Sequence, residues 1–486
     1  MSTPLEIAKL LVPQIPNLTV AAINHSLGRN QTSSKWTLRM TIGVEILRKM
    51  VRNADTSKSL AATQAVTLRD SGIPSNVWVA KDTFPVPETN NLCEATYDAI
   101  QALKTTPEEL KLSQTPNLKP VQVEWTTPSW TGKPLPEGFS ESDKFAKLHN
   151  TPEPMVILYF HGGAYYLCDP CTHRGFVAKL ASPSNAIVCS VRYRLAPQSA
   201  FPEQLLDALL AYLTLLHPPK GSLHDAIPPS RIVFAGDSAG GNLVFALLQL
   251  LLQFQRTGTK VRFGEGEGSP IPLPAGASAN SGWFDIARAL PSGARNADWD
   301  FLPLPNHDGD INSRPSQPNE EERPGKAQIW PTNPPRGDLF CDLELLDHPL
   351  VSPTAAADWK GAPPMYHCVG EEMLEDDIRT LAKRAAEQGV AVQLDAFEAM
   401  PHCFALTAPD GTPLANVCMD SWARFCARPG HEGCRGRFWD VKSRSKEFDV
   451  ATCTDLTVEK ARKYMNEVKV RRIKAFREGR TSGMGL

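Results

Sequence analysis

The sequence predicts an α/β fold whose central sheet is mostly parallel. Short continuous apolar runs recur at 155–160 (MVILYF), 186–191 (AIVCSV) and 231–235 (RIVFA), the pattern of strands buried on both faces. Helical stretches follow the second and third runs, at 203–216 and 241–254. Strands alternating with helices are the signature of a parallel sheet joined by crossovers.

Taken in order, residues 36–51 (WTLRMTIGVEILRKMV) place Met40, Val44, Leu47 and Val51 at three-to-four spacing and predict an amphipathic helix. Residues 91–103 predict a second helix, and the proline-punctuated stretch 107–119 reads as a boundary. Residues 121–125 (VQVEW) alternate and predict a half-buried strand. The apolar strands and their helices come next. Later strands are predicted at 365–369 and 391–397, with a helix at 377–388 between them. The stretch 290–348 breaks this rhythm, being dense in Pro, Asn and Asp and without a period. It reads as an insertion or a long irregular excursion. Residues 456–480 are rich in Lys and Arg, with Val458, Ala461, Met465, Val468 and Ile473 interleaved, and predict a basic helix. That helix reads as solvated, with peripheral contact to an anionic intracellular membrane as the alternative.

Composition narrows the function. The chain has 486 residues, more than the roughly 250–300 that one core absorbs. It is 42% hydrophobic and 21% charged, which excludes a mostly disordered chain. With 51 basic and 53 acidic residues the net charge is −2, so no nucleic-acid partner is expected. The 42 prolines outnumber the 32 glycines and predict stiff, extended connections. No run approaches the ~18 apolar residues of a membrane span, and the first residues lack a basic-then-apolar leader. A cytoplasmic, reducing location is therefore expected, with the 11 cysteines mostly free thiols. Cys168 and Cys171 form a lone C-x-x-C, and no metal or other cofactor is expected.

Two motifs carry the chemistry. Ser238 lies in Gly236-Asp-Ser-Ala-Gly240, directly after one predicted strand and before an apolar helix. A serine on such a strand–turn–helix elbow is held in a strained backbone, its oxygen projecting into a cleft at the helix N-terminus. Upstream, another strand ends in His161-Gly-Gly163. Glycines there let backbone N–H groups approach a substrate closely. The amides of Gly162, Gly163 and Ala239 are the candidate oxyanion donors. The order of the two strand-ending motifs is far more specific than either alone.

These motifs give the chain its resemblance. With His161-Gly-Gly-Ala164, Tyr193-Arg-Leu-Ala-Pro197, Phe201-Pro202 and Gly236-Asp-Ser-Ala-Gly-Gly-Asn242 in that order, it resembles the hormone-sensitive-lipase family of α/β-hydrolases, which includes microbial esterases and arylacetamide deacetylases. The likeness runs over about 121–425. Gln198 departs from the glutamate frequent in the family. The resemblance implies an α/β-hydrolase fold and a small-molecule ester substrate.

On this fold the triad order is Ser, acid, His. His402, in Met400-Pro-His-Cys-Phe404 just past a predicted strand, is the candidate base and resembles the family's Met-Pro-His-x-Phe loop. His367 lies inside a strand and reads as packed. The acid should follow the strand ending near Val369. Alignment of Leu374, Asp376 and Asp377 with the family pattern puts Glu372 at the catalytic slot, where Asp is usual, with Glu371 as the rival.

The resemblance further implies a cap. It divides the chain into an N-terminal cap region (1–115), a hydrolase core (116–426) with a cap or lid insertion at about 290–348, and a basic extension (427–486). Trp283 and Phe284 are the candidate substrate-binding residues, with Trp299, Phe301 and Trp330 as further wall candidates. The expected function is serine carboxylic-ester hydrolysis through an acyl-serine. An acyltransferase or thioester-releasing enzyme, and a non-catalytic receptor on the same fold, are the alternatives.

Overall fold

The structure, a computed structural model, describes residues 12–52, 60–106, 109–149, 151–305, 338–407 and 412–478. Ten strands form one sheet: β1 (Val77–Phe84), β2 (Val121–Pro128), β3 (Val156–Phe160), β4 (Ile187–Arg192), β5 (Ile232–Asp237), β6 (Gly276–Asn280), β7 (Met365–Gly370), β8 (Val392–Phe397), β9 (Arg435–Trp439) and β10 (Ser445–Phe448). Their spatial order is β1-β2-β4-β3-β5-β6-β7-β8-β9-β10. From β4 to β9 every pairing is parallel; β1, β2 and β10 pair antiparallel at the two edges.

The helices that frame the sheet and its site are α1 (Ile15–Ser26), α2 (Leu38–Arg52), α3 (Leu92–Ala102), α4 (Pro170–Ser184), α5 (Glu203–Leu216), α6 (Ala239–Thr257), α7 (Glu375–Glu387), α8 (Pro413–Ala427) and α9 (Val458–Arg477). Helix α6 is buried from Ala239 to Phe254, so it is covered on every face rather than along one stripe. Helix α4 starts at a capping box on Asp169, whose carboxylate accepts from the Cys171 N–H and whose N–H meets Thr172.

The strands legible as apolar runs are present within a residue or two of expectation, except that β2 runs three residues further, to Pro128. Others carried no such signal. Strand β6 is Gly-Ala-Ser-Ala-Asn, small because α6 presses on it: a Cβ on Gly241 would sit 3.0 Å from that of Ala279. Strand β10 is exposed and charged, Ser-Lys-Glu-Phe, a composition that discourages pairing beyond the edge.

Two sequence expectations change. The C-terminal helix is not simply solvated. Val458, Ala461, Met465 and Val468 of α9 are buried in the core. Lys469 meets Asp347 at 2.6 Å and Arg472 meets Asp338, both in buried ion pairs. The apolar stripe that suggested a membrane contact is therefore covered by the core. Nor is the end of the proline-dense stretch irregular surface. Phe340 stacks on Tyr165 with centroids 3.8 Å apart, and Leu343, Leu345 and Leu346 are buried. Residues 306–337, with Trp330, lie outside the described residues.

Candidate active site

Strand β5 ends at Asp237, and Ser238 follows with φ 51° and ψ −119° before α6 begins. That sparsely populated backbone region costs on the order of 1–3 kcal/mol, and such strain clusters at functional sites. The flanking glycines are required by contact. A Cβ on Gly240 would lie 1.9 Å from the Phe160 carbonyl oxygen, and one on Gly236 would lie 2.5 Å from Gly240 backbone. The turn is pinned by the Ser238 N–H donating to the Asn280 carbonyl at 3.0 Å, and by the Trp283 N–H donating to the Ser238 carbonyl at 3.0 Å.

Three expected side chains meet here. Ser238 Oγ lies 2.9 Å from His402 Nε2, and His402 Nδ1 lies 3.1 Å from Glu372 Oε1. Because the carboxylate only accepts, the Nδ1 proton is assigned to the glutamate side, leaving Nε2 to accept from the serine hydroxyl. Glu372 follows β7 and is fully buried; its other oxygen accepts from Ser281 Oγ at 2.6 Å. Glu371 instead accepts the Ala399 N–H at 2.9 Å, bracing the loop before the histidine. His367 is packed in β7, its ring 4.7 Å from that of Phe245.

The electrostatics follow from burial and charge. Burial pulls the His402 pKa down, but the carboxylates of Glu372 and Asp300 outweigh it and leave the imidazole above its ordinary value. Burial pushes the Glu372 carboxyl up, opposed by His402 and Ser281. Cys403 Sγ lies 3.5 Å from His402 Nε2, but burial and the carboxylates of Asp237, Glu372 and Asp300 push its thiol well up. That direction disfavours the thiolate, the reactive form of a cysteine.

Two candidate residues move. The Gly162 N–H is already held by Asp237 Oδ1 at 3.0 Å, so it is not directed at Ser238. Gly163 and Ala164 line the cavity instead, with φ values of 110° and 52°. Among the described residues the N–H groups of Gly163, Ala164 and Ala239 have no protein acceptor. The shift by one residue was not visible in the Gly-Gly pair itself; it comes from the carboxylate of Asp237, which Tyr159 Oη also contacts at 2.6 Å. Phe284 also departs from expectation. It is fully buried against Phe245, with centroids 5.0 Å apart, and does not line the cavity. Trp283 does.

The remaining motif residues support these loops. Tyr193 stacks on His161 at 4.4 Å, and its hydroxyl donates to the His161 carbonyl at 2.7 Å. Asn242 donates to the carbonyls of Trp283 and Val351 at 2.7 and 2.9 Å and accepts from Tyr165 Oη at 2.7 Å. Gln198, where the family often has glutamate, donates to Gln64 Oε1 at 2.8 Å, away from the serine.

Asp300 was missed by sequence reasoning, hidden in the periodless stretch. It is fully buried. Its carboxylate accepts the N–H of His402 at 3.2 Å, of Met373 at 2.8 Å and of Phe301 at 2.7 Å. One side chain thus ties the loop of the histidine to the loop of the glutamate. Its carbonyl accepts from Arg48 Nε of α2 at 2.9 Å.

The cavity at Ser238 holds about 340 Å³, within the range for small-molecule sites. Leu167, Trp283, Leu302 and Leu374 give it apolar walls, and Arg288 brings one guanidinium. Val51 of α2 and Phe301 also line it. Cys168, first noted only as half of a C-x-x-C, lines the cavity, and burial pushes its thiol up to about 12.

Comparison with known proteins agrees with this architecture. Residues 157–406 match the family described as alpha/beta hydrolase fold. An acetyl-hydrolase of Streptomyces hygroscopicus is 32% identical over 248 residues, 51% of this chain and 67% of that one. A carboxylesterase of Mycobacterium tuberculosis is 29% identical over 264 residues, 52% of this chain and 68% of that one. A crystal structure of an esterase from the bacterial hormone-sensitive lipase family superposes with a TM-score of 0.50 at 23% identity, over 81% of this chain and 98% of that one, a likeness of fold. From the matched family region, the relatives and the motifs in their order, the chain belongs to the hormone-sensitive-lipase family of α/β-hydrolases.

Proposed function

We propose that this ester hydrolase works through an acyl-serine on a small or medium hydrophobic carboxylic ester. The observation that carries the reading is the continuous line of contacts from Ser238 Oγ through the His402 imidazole to Glu372, 2.9 and 3.1 Å long, at the wall of an apolar cavity. Ser238 Oγ attacks the ester carbonyl carbon while its proton passes to His402 Nε2. The oxyanion is met by the N–H groups of Gly163, Ala164 and Ala239 at the N-terminus of α6. Collapse breaks the carbon–oxygen bond, and the imidazolium returns its proton to the leaving alkoxide. Water, deprotonated by the same nitrogen, then releases the acid and restores Ser238. Glu372 holds the imidazole in the required tautomer and offsets its charge. Helix α2 and residues 300–303 form the cap over the acyl group, and Trp283 is part of its wall.

The test is hydrolysis of a p-nitrophenyl ester series by the wild type and Ser238→Ala. The variant should lose at least about a thousandfold in kcat with its fold intact. Short and medium acyl chains should be preferred, as the cavity volume requires. Near-full turnover by Ser238→Ala would overturn the reading.

A further inference from the structure

The face of α1 that no other described residue buries points to a second surface. The large apolar side chains exposed among the described residues concentrate in the first segment. Ile15, Val20, Ile23, Leu27, Leu38 and Met50 are each 43–57% exposed, and α1 has no buried residue at all. Isolated exposed apolar residues are ordinary, but a contiguous patch marks an interaction site. Ile15, Thr19, Ala22, Ile23 and Ser26 follow one another along a single face of α1, open to solvent. The opposite side rides on α2, where His25 Nδ1 meets Thr41 Oγ1 at 2.8 Å.

Charge says what covers this face. Residues 12–52 carry six cations, Arg29, Lys35, Arg39, Arg48, Lys49 and Arg52, against the single acid Glu45. The segment is net +5 in a chain whose total is −2. Two of these cations are already engaged, Lys35 by Glu398 at 2.5 Å and Arg48 by Glu45 at 2.6 Å, while Arg29 and Arg39 are exposed. An apolar helix face flanked by cations is the composition of an interfacial helix on anionic lipid. A symmetric contact with a second copy would instead set this positive segment against itself.

We propose that α1 and α2 dock this chain on an anionic phospholipid surface, with the Ile15–Ile23 face in the acyl boundary and Arg29 and Arg39 at the headgroups. The far end of α2 carries Val51, which lines the cavity beside Ser238, so docking puts the lipid surface next to the site. The proposal stands independently of the acyl-serine reading, since it concerns binding alone.

The test is sedimentation of the full chain with phosphatidylcholine vesicles, with and without phosphatidylserine. Binding is expected only where phosphatidylserine is present. Ile15→Asp/Ile23→Asp should weaken it by roughly tenfold or more, and Arg29→Gln/Arg39→Gln by about fivefold per charge. Both variants should keep the wild-type melting temperature and wild-type hydrolysis of soluble p-nitrophenyl acetate, showing that the fold and the hydrolytic site are unaffected. The proposal is overturned by absence of binding to phosphatidylserine vesicles, or by undiminished binding of Ile15→Asp/Ile23→Asp. It is also overturned if light scattering shows a wild-type dimer that those substitutions dissociate, since the face would then be covered by a second copy.

Discussion

Replacing Asp300 with alanine removes the acceptor shared by the two loops that carry Glu372 and His402. Two long-range donors lose their partner, the Met373 N–H at 2.8 Å and the His402 N–H at 3.2 Å. Both groups are buried. A buried donor left unmade costs about 1–3 kcal/mol, so the pair predicts a loss of roughly 2–6 kcal/mol in holding these loops. A small misplacement of the imidazole suffices to lower kcat/KM by about a hundredfold. Asp300→Asn keeps one acceptor oxygen and should lose less of both. The two variants should share a second effect. Burial lowers the His402 pKa while Glu372 and then Asp300 raise it, so removing the Asp300 charge lowers it. Hydrolysis needs neutral His402, so the acid limb of kcat/KM should move to lower pH in both variants. Denaturation midpoints and pH profiles on p-nitrophenyl butyrate measure these effects. An Asp300→Ala enzyme with wild-type kcat/KM and an unmoved acid limb would refute the reasoning.

Other outcomes follow from the same contacts. Glu372→Gln should lower kcat by about 10³–10⁴, the scale of a carboxylate-to-amide change behind a catalytic histidine; Glu371→Gln should stay within about tenfold, because its partner is the Ala399 N–H. A larger loss in Glu371→Gln than in Glu372→Gln in steady-state assays would reverse the assignment of the acid. In the wild type, activity should fall as pH drops through a pKa above the ordinary imidazole value of 6.5, and a limb below it would contradict the influence of the two carboxylates. Lys469→Met strands the buried Asp347 carboxylate and should destabilise the fold by about 3–5 kcal/mol, read as a lowered denaturation midpoint. A wild-type midpoint would mean that α9 does not depend on this pair.

The parallel core was legible because its strands are continuous apolar runs and its helices keep a helical period. The serine elbow was legible because steric need dictates glycine on both sides of Ser238, and the histidine because triad order and the end of β8 left one loop for it. The acid needed register as well as order, and Glu372 and Glu371 separate only when Ser281 and His402 are seen on one carboxylate. What escaped had no local signal. Strand β6 is built of small residues because α6 crowds it. Gly162 looked like an oxyanion donor until Asp237 took its N–H. Phe284, beside Trp283 in sequence, turns into the core while its neighbour faces the cavity. Asp300 sits in a stretch without periodicity, and its role exists only through distant N–H groups. The tail's basic composition suggested solvent or membrane, yet Asp338 and Asp347, more than a hundred residues upstream, draw two of its cations inward.

The central claim is that Ser238 is the nucleophile and His402 its base. Treatment of the full chain with a fluorophosphonate, followed by intact-mass and peptide mapping, tests it most directly. The account predicts a single covalent adduct on Ser238 that forms far more slowly in His402→Ala. A folded wild-type chain that takes no label on Ser238, or takes it at an unchanged rate without His402, would contradict it.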